Sequence, residues 1–193
     1  MAYVPKILAF AGSTRTGSFN KKLVKVAIAG ARAAGAEVTE LDLRDVPMPL
    51  YDGDLEAKEG IPLNGQKFKA LLLAHQGLLI SAPEYNSGIT GVLKNAIDWA
   101  SRSAPGEAPL ACFQGKVAVL MSASPGGLGG LRSLVHVRSI LSNIHVLVLP
   151  DQVAVPRAHE AFNEDGTLKD TKQHASIEKL GRDLADILVK LKG

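Results

Sequence analysis

Only one cysteine, Cys112, occurs in the 193 residues, so no intramolecular disulfide can form. No histidine lies near it in the chain to activate it as a nucleophile. Aromatic residues are scarce, at 5%, and neither sign of charge dominates: 22 Lys and Arg are scattered among 19 Asp and Glu, for a net charge of +3. A nucleic-acid surface wants clustered cations with exposed aromatics, so that class is set aside. The five histidines form no ligand spacing with Cys112 or with acid pairs, and no metal site is expected. No apolar run approaches the roughly 18 residues of a membrane span. Met1–Lys6, followed by the short run Ile7–Ala11, lacks the layout of a secretory signal. The expectation is a cytoplasmic protein with no membrane partner.

What is present is an ordinary globular composition, 46% hydrophobic and 21% charged, in a chain long enough to bury a core. No repeat or change of composition divides it, so one domain over 1–193 is expected. Short apolar runs alternate with helical periodicity. Strands are predicted at Ile7–Ala11, Glu37–Leu43, Leu78–Ala82, Val117–Met121 and Val146–Leu149. Helices are predicted over Ser18–Gly35, from Pro62 through Leu72, from Ile89 through Ala100, from Leu131 through Leu141, and from Ile177 through Leu191. Arg44–Gly60 and Pro150–Lys169 read as loops. Near-continuous apolar strands alternating with helices imply a parallel sheet covered on both faces, an α/β fold.

In such sheets ligands bind beyond the carboxyl ends of the strands, and three loops there have unusual composition. Gly12-Ser13-Thr14-Arg15-Thr16-Gly17-Ser18-Phe19-Asn20 joins a buried strand to a helix N-terminus. Backbone N–H groups, the hydroxyls of Ser13 and Ser18, the Asn20 amide and the Arg15 charge are the donors a phosphate needs. A nucleoside-triphosphate loop would carry Lys where Ser18 stands, and a dinucleotide fingerprint would carry Gly where Thr14 stands. A plain turn with a serine cap also accounts for these residues. The second loop, Pro83-Glu84-Tyr85-Asn86-Ser87-Gly88-Ile89-Thr90-Gly91, mixes an aromatic with polar groups, as a planar heterocycle would want, or as a simple turn and helix cap would. The third, Ser122–Gly130, has four glycines between Gly126 and Gly130, which allow close backbone approach to a ligand or merely a flexible turn.

Taken together, Gly12-Ser13-Thr14-Arg15 with Ser18 and Asn20, then Pro83-Glu84-Tyr85-Asn86, then Gly91-Val92-Leu93-Lys94-Asn95-Ala96-Ile97-Asp98-Trp99, resemble the NADPH-dependent FMN reductase family, which includes bacterial quinone and chromate reductases. Pro49-Leu50-Tyr51-Asp52 and the glycine-rich loop near Ser124 are similar too. The resemblance implies a flavodoxin-like doubly wound five-stranded sheet of order 2-1-3-4-5, with helices on both faces and one non-covalent FMN. It implies that Ser13, Arg15, Ser18, Phe19 and Asn20 surround the phosphate, that Pro83, Glu84, Tyr85 and Asn86 border the isoalloxazine, and that Ser122, Ala123, Ser124 and Gly127 line its other polar edge. It further implies a homodimer or homotetramer.

The expected activity is hydride transfer from NADPH or NADH, by way of FMN, to quinones, with chromate and azo dyes as further small-molecule acceptors. No side chain is singled out as catalytic, because the cofactor carries the chemistry. Two other readings share the motifs: a flavodoxin-type electron carrier, whose surface is ordinarily strongly acidic, and a flavin reductase that hands reduced FMN to a partner.

Overall fold

The computed structural model describes residues 3–192. Met1, Ala2 and Gly193, which the N-terminal and single-domain expectations include, lie outside them. In chain order the elements are β1 (Lys6–Ala11), α1 (Phe19–Ala33), β2 (Glu37–Asp42), a 3₁₀ turn (Leu43–Asp45), α2 (Gly53–Glu59), α3 (Leu63–Ala74), β3 (Gly77–Ser81), β4 (Glu84–Tyr85), β5 (Gly88–Ile89), α4 (Gly91–Ser101), β6 (Val117–Ala123), α5 (Leu131–Asn143), β7 (Leu147–Val155), α6 (Ala158–Ala161) and α7 (Thr171–Lys190).

All of β3 and β6, and β1 after Lys6, are buried. Successive strand side chains point to opposite faces, so such strands need a covering layer on each side. Ile7, Ala9, Leu79, Val117, Val119 and Met121 face one core, with α1 and α7. Leu8, Phe10, Leu78, Ile80, Ala118 and Leu120 face the other, with α3, α4 and α5. The sheet is parallel, in the order β2-β1-β3-β6-β7. Counting only its five strands, this is the 2-1-3-4-5 order of the flavodoxin-like fold.

The structure corrects several boundaries. β6 continues to Ala123, so Ser122 and Ala123 belong to a strand rather than to the glycine-rich turn. β7 does not end at Leu149 but runs on to Val155. Its pairing jumps from Val148↔Ala118 to Gln152↔Leu120, and Pro150, which has no N–H to donate, sits in the bulge. Arg138 of α5 donates to the carbonyls of Val148 and Pro150 and to Gln152 Oε1, satisfying acceptors that the ladder leaves free. The expected loop at 44–60 contains α2. Ile89 belongs to β5, and the following helix starts at Gly91 with Thr90 as its cap. The expected second loop is a hairpin whose turn residues, Asn86 and Ser87, both have positive φ (50° and 67°), as a two-residue hairpin turn demands.

Candidate functional site

From β1 the chain steps outward to β2, then returns to β3 on the other side of β1. The crevice beyond the strand ends between β1 and β3 is therefore the topological switch point. The loops after β1, β3 and β6 meet there, each rooted in a buried strand and each exposing its tip.

In the first loop, Thr14, Arg15, Thr16 and Gly17 are exposed, while Ser13 and Ser18 are buried. Ser18 is the N-cap of α1, yet its side chain caps nothing and the first turn carries no acidic residue. The N–H groups of Thr16, Gly17, Phe19 and Asn20 find no acceptor among the described residues. An α-helix leaves its first N–H groups unpaired, and here they remain available together with the positive end of the helix dipole. The Arg15 guanidinium has no partner among the described residues, although its backbone N–H donates to Ser13 Oγ at 3.3 Å.

Two of the predicted phosphate residues have side chains aimed elsewhere. Asn20 is buried, donates from Nδ2 to Ala123 O at 2.8 Å, and accepts at Oδ1 from Ala123 N at 3.0 Å and from Ser81 Oγ at 2.8 Å. The Phe19 ring stacks on Phe162, centroids 6.1 Å apart and planes 8° from parallel. Each retains only its backbone N–H for the loop.

Arg44, which sequence reasoning passed over as part of a loop, braces the same turn. Its Nε donates to Thr14 O at 2.9 Å, and its Nη2 reaches the same oxygen. Asp42 holds the backbone N–H of Arg44 and sits 2.6 Å from Lys21. Burial tends to raise the Asp42 carboxyl, but the hydrogen bonds from Lys21 and Arg44 bring it below its ordinary value. A cleft of about 360 Å³, lined in part by Thr16, Ser18, Lys21, Lys22 and Asp42, opens beside this loop. Thr90 is a second unpredicted brace. It donates to Gly12 O at 2.7 Å and caps α4 by accepting from Leu93 N.

The second loop places Pro83 in the interior and Tyr85 outside, with 53% of its surface exposed. Asn86 is exposed at the hairpin tip. Glu84 turns away from solvent toward Arg132 of α5, with Oε1 accepting from Nε at 2.7 Å and Oε2 from the backbone N at 3.1 Å. At the end of β6, before the third loop, the Ser122 hydroxyl donates to Ala82 O at 2.7 Å and both backbone groups of Ala123 are bonded to Asn20. Neither residue keeps a donor for a ligand. Ser124 Oγ accepts from Gly126 N, while the N–H groups of Gly127 and Leu128 have no acceptor among the described residues.

Residues 5–160 match the profile of the family described as NADPH-dependent FMN reductase. The chain is 38% identical over 176 residues to the NAD(P)H-dependent FMN reductase PA1204 of Pseudomonas aeruginosa, covering 90% of each sequence. It is 33% identical over 195 residues to the NAD(P)H:quinone oxidoreductase of Solanum tuberosum, covering 98% of this chain and 96% of the relative. Among solved structures it resembles FerB, a flavoenzyme NAD(P)H:(acceptor) oxidoreductase from Paracoccus denitrificans, with a TM-score of 0.80 and 27% identity over 97% of this chain and 98% of that one.

Proposed function

The chain belongs to the NADPH-dependent FMN reductase family, and on that premise we propose that it is a single FMN-binding unit that delivers hydride from NAD(P)H to quinones. It is an oxidoreductase of flavodoxin-like fold, with FMN as its cofactor. FMN, when bound, supplies the capacity to accept a hydride and release it.

The observation that carries this reading is the unused donor set at the start of α1. Ser18 is 4% exposed and its hydroxyl bonds to nothing among the described residues. Several N–H groups beside it lack acceptors, and Arg15 stands free above them. A phosphate monoester fits that inventory in charge and in hydrogen-bonding demand. Glycine usage supports the fit. A Cβ added to Gly17 or Gly127 would meet nothing within 4 Å, and neither residue has positive φ. The protein's own packing gives no reason for glycine at either place, whereas close approach of a ligand does.

The residues then divide the work. Arg15 and the α1 N–H groups hold the phosphate. The hairpin of Tyr85 and the backbone of Gly127 and Leu128 would border the rings of bound FMN, and their free N–H groups would favour negative charge there. Exposed Tyr85 and Leu128 give the rim an apolar character suited to a flat acceptor. The Glu84 carboxylate is occupied by Arg132, so no side-chain acid of these loops is left to move a proton. With a net charge of +3, the surface lacks the acidity that a carrier docking on redox proteins would use. Chromate and azo compounds are further acceptors in this reading. The protein acts in the cytoplasm as a dimer or tetramer; no described helix is long and apolar enough to cross a membrane.

Steady-state kinetics with NADPH and a soluble quinone test the proposal. Donor and acceptor that occupy one site in turn give parallel double-reciprocal lines. Intersecting lines, or no quinone-dependent NADPH oxidation by the FMN-loaded protein, would reject it.

A further inference from the structure

The second and third loops are tied together by hydrogen bonds that turn two of the expected flavin contacts, Glu84 and Ser122, toward protein partners. α5 begins at a glycine: Gly130 is the N-cap, in left-handed backbone (φ 91°), and offers no side chain to the helix. The cap comes instead from across the crevice. Glu84 Oε2 accepts from Arg132 N at 3.1 Å, on the first turn of α5, while Oε1 accepts from Arg132 Nε at 2.7 Å. The Glu84 side chain keeps only 8% of its surface exposed, whereas that of Arg132 keeps 55%. Two hydroxyls lie alongside. Ser133 Oγ donates to Pro83 O at 2.9 Å, and Ser122 Oγ donates to Ala82 O at 2.7 Å. The bare Gly130 makes room for this arrangement, since a Cβ there would lie 2.0 Å from Ser122 Oγ and 3.7 Å from the Glu84 Cβ.

We propose that Glu84 is a positioning residue: its carboxylate, shared between the backbone and side chain of Arg132, caps α5 and sets the separation of the two loops that border the FMN rings. The inference rests on the reading of this crevice as the FMN site. It differs from the sequence expectation that Glu84 itself borders the isoalloxazine, because both carboxylate oxygens face α5. A carboxylate suits the position for two reasons. It complements the helix dipole, and it can serve the N–H and the guanidinium at once. Since the cap comes from the hairpin rather than from the helix's own N-cap residue, a change in either partner alters both loops together. Ser133 and Ser122 fix the backbone of Ala82 and Pro83 just before Glu84, which leaves the carboxylate as the adjustable member of the clamp.

The test uses FMN titration of the FMN-free full-length protein, followed by quenching of flavin fluorescence, and the visible spectrum of the bound flavin. Glu84→Ala is expected to weaken FMN binding about tenfold, the scale of losing a charge-assisted pair of hydrogen bonds. Glu84→Gln, which still accepts from Arg132 N, should lie between Glu84→Ala and wild type. Arg132→Met, which keeps the backbone N–H that Glu84 caps, should also lie between Glu84→Ala and wild type, and the double variant Glu84→Ala/Arg132→Met should bind no worse than Glu84→Ala alone, because the two residues act as one unit. Glu107→Gln, at a carboxylate bonded to Lys69 and Ala104 rather than to any of the three loops, controls for general destabilisation and should leave the FMN dissociation constant and the bound-flavin spectrum unchanged. Additive losses in the double variant would make Glu84 a direct flavin ligand and overturn the proposal. So would wild-type affinity and spectrum in Glu84→Ala, or, if that variant does not fold, in both Glu84→Gln and Arg132→Met. A wild-type chain that binds no FMN would remove the functional reading on which the inference stands, an outcome visible before any variant is made.

Discussion

Asn20 and Ala123, 103 residues apart in the chain, pair as two strand residues would: the Asn20 amide donates to Ala123 O at 2.8 Å and accepts from Ala123 N at 3.0 Å. The same amide oxygen takes the Ser81 hydroxyl at 2.8 Å. One buried side chain thus joins the first turn of α1 to the ends of β3 and β6, and so ties together the roots of all three loops. Asn20→Ala leaves a backbone N–H, a carbonyl and a hydroxyl buried without partners. The expected loss of stability is ~3 kcal/mol, measured by urea unfolding of the FMN-free protein. A loss under ~1 kcal/mol would show that water replaces the amide easily and that the tie is weak.

Arg15 is the free cation of the first loop. Arg15→Ala should weaken FMN binding by ~1.5–3 kcal/mol, the worth of a hydrogen bond to a charged group, and leave the unfolding midpoint of the FMN-free protein unchanged. Isothermal titration of the variant checks the first part and thermal melting the second. An unchanged dissociation constant would free Arg15 for another role, such as facing substrate.

Glycines separate packing from ligand approach. A Cβ on Gly181 would fall 1.9 Å from Ala27 O, and one on Gly30 would fall 1.9 Å from Glu178 O, so α1 and α7 touch backbone to backbone at both crossings. Gly181→Ala should cost ~2–4 kcal/mol by forcing the helices apart. Gly17→Ala meets nothing and should alter stability by no more than ~0.5 kcal/mol, yet it should weaken FMN binding. Equal effects of the two variants on stability, or no effect of Gly17→Ala on FMN, would contradict this assignment.

Glu107 reports on the other side of the molecule. Its carboxylate accepts from the buried Lys69 ammonium at 2.7 Å and from Ala104 N at 2.9 Å. The Lys69 hydrogen bond, joined by that of Ala104, holds it below the ordinary glutamate range. A depressed folded-state value contributes stability that is complete above the unfolded value of about 4.3 and is lost as pH falls through the folded value. The stability difference between wild type and Glu107→Gln should therefore be complete at about pH 6 and shrink as the pH is taken below the unfolded value of about 4.3. A difference that stays constant across that range would show that the pair does not titrate with folding.

The central strands and the five long helices were legible because their signal is burial, and burial leaves a period in the sequence. α2 was not, since none of its residues is buried. Only its ends were marked, by Asp52, whose side chain accepts from Asp54 N and Leu55 N, and by Gly60 at φ 74°. The β4–β5 hairpin has two residues per strand and no glycine in its turn, so neither pattern nor turn signal announced it. Pro150 looked like a strand end because a bulge cannot be told from a terminus without the partner strand. Within the site, residue type revealed donors but not their direction. Asn20 and Ser122 carry the right groups, yet distant backbone already uses them. Arg44, Thr90 and Arg132 brace the loops through contacts 30, 78 and 48 residues away, which no local motif encodes.

The most direct test of the account is anaerobic reduction of the purified protein loaded with FMN. The expected result is one non-covalent FMN per chain, released intact on denaturation, whose visible absorbance NADPH bleaches and a quinone then restores. A chain that retains FAD or no flavin, or whose bound FMN neither NADPH nor NADH reduces, would contradict it.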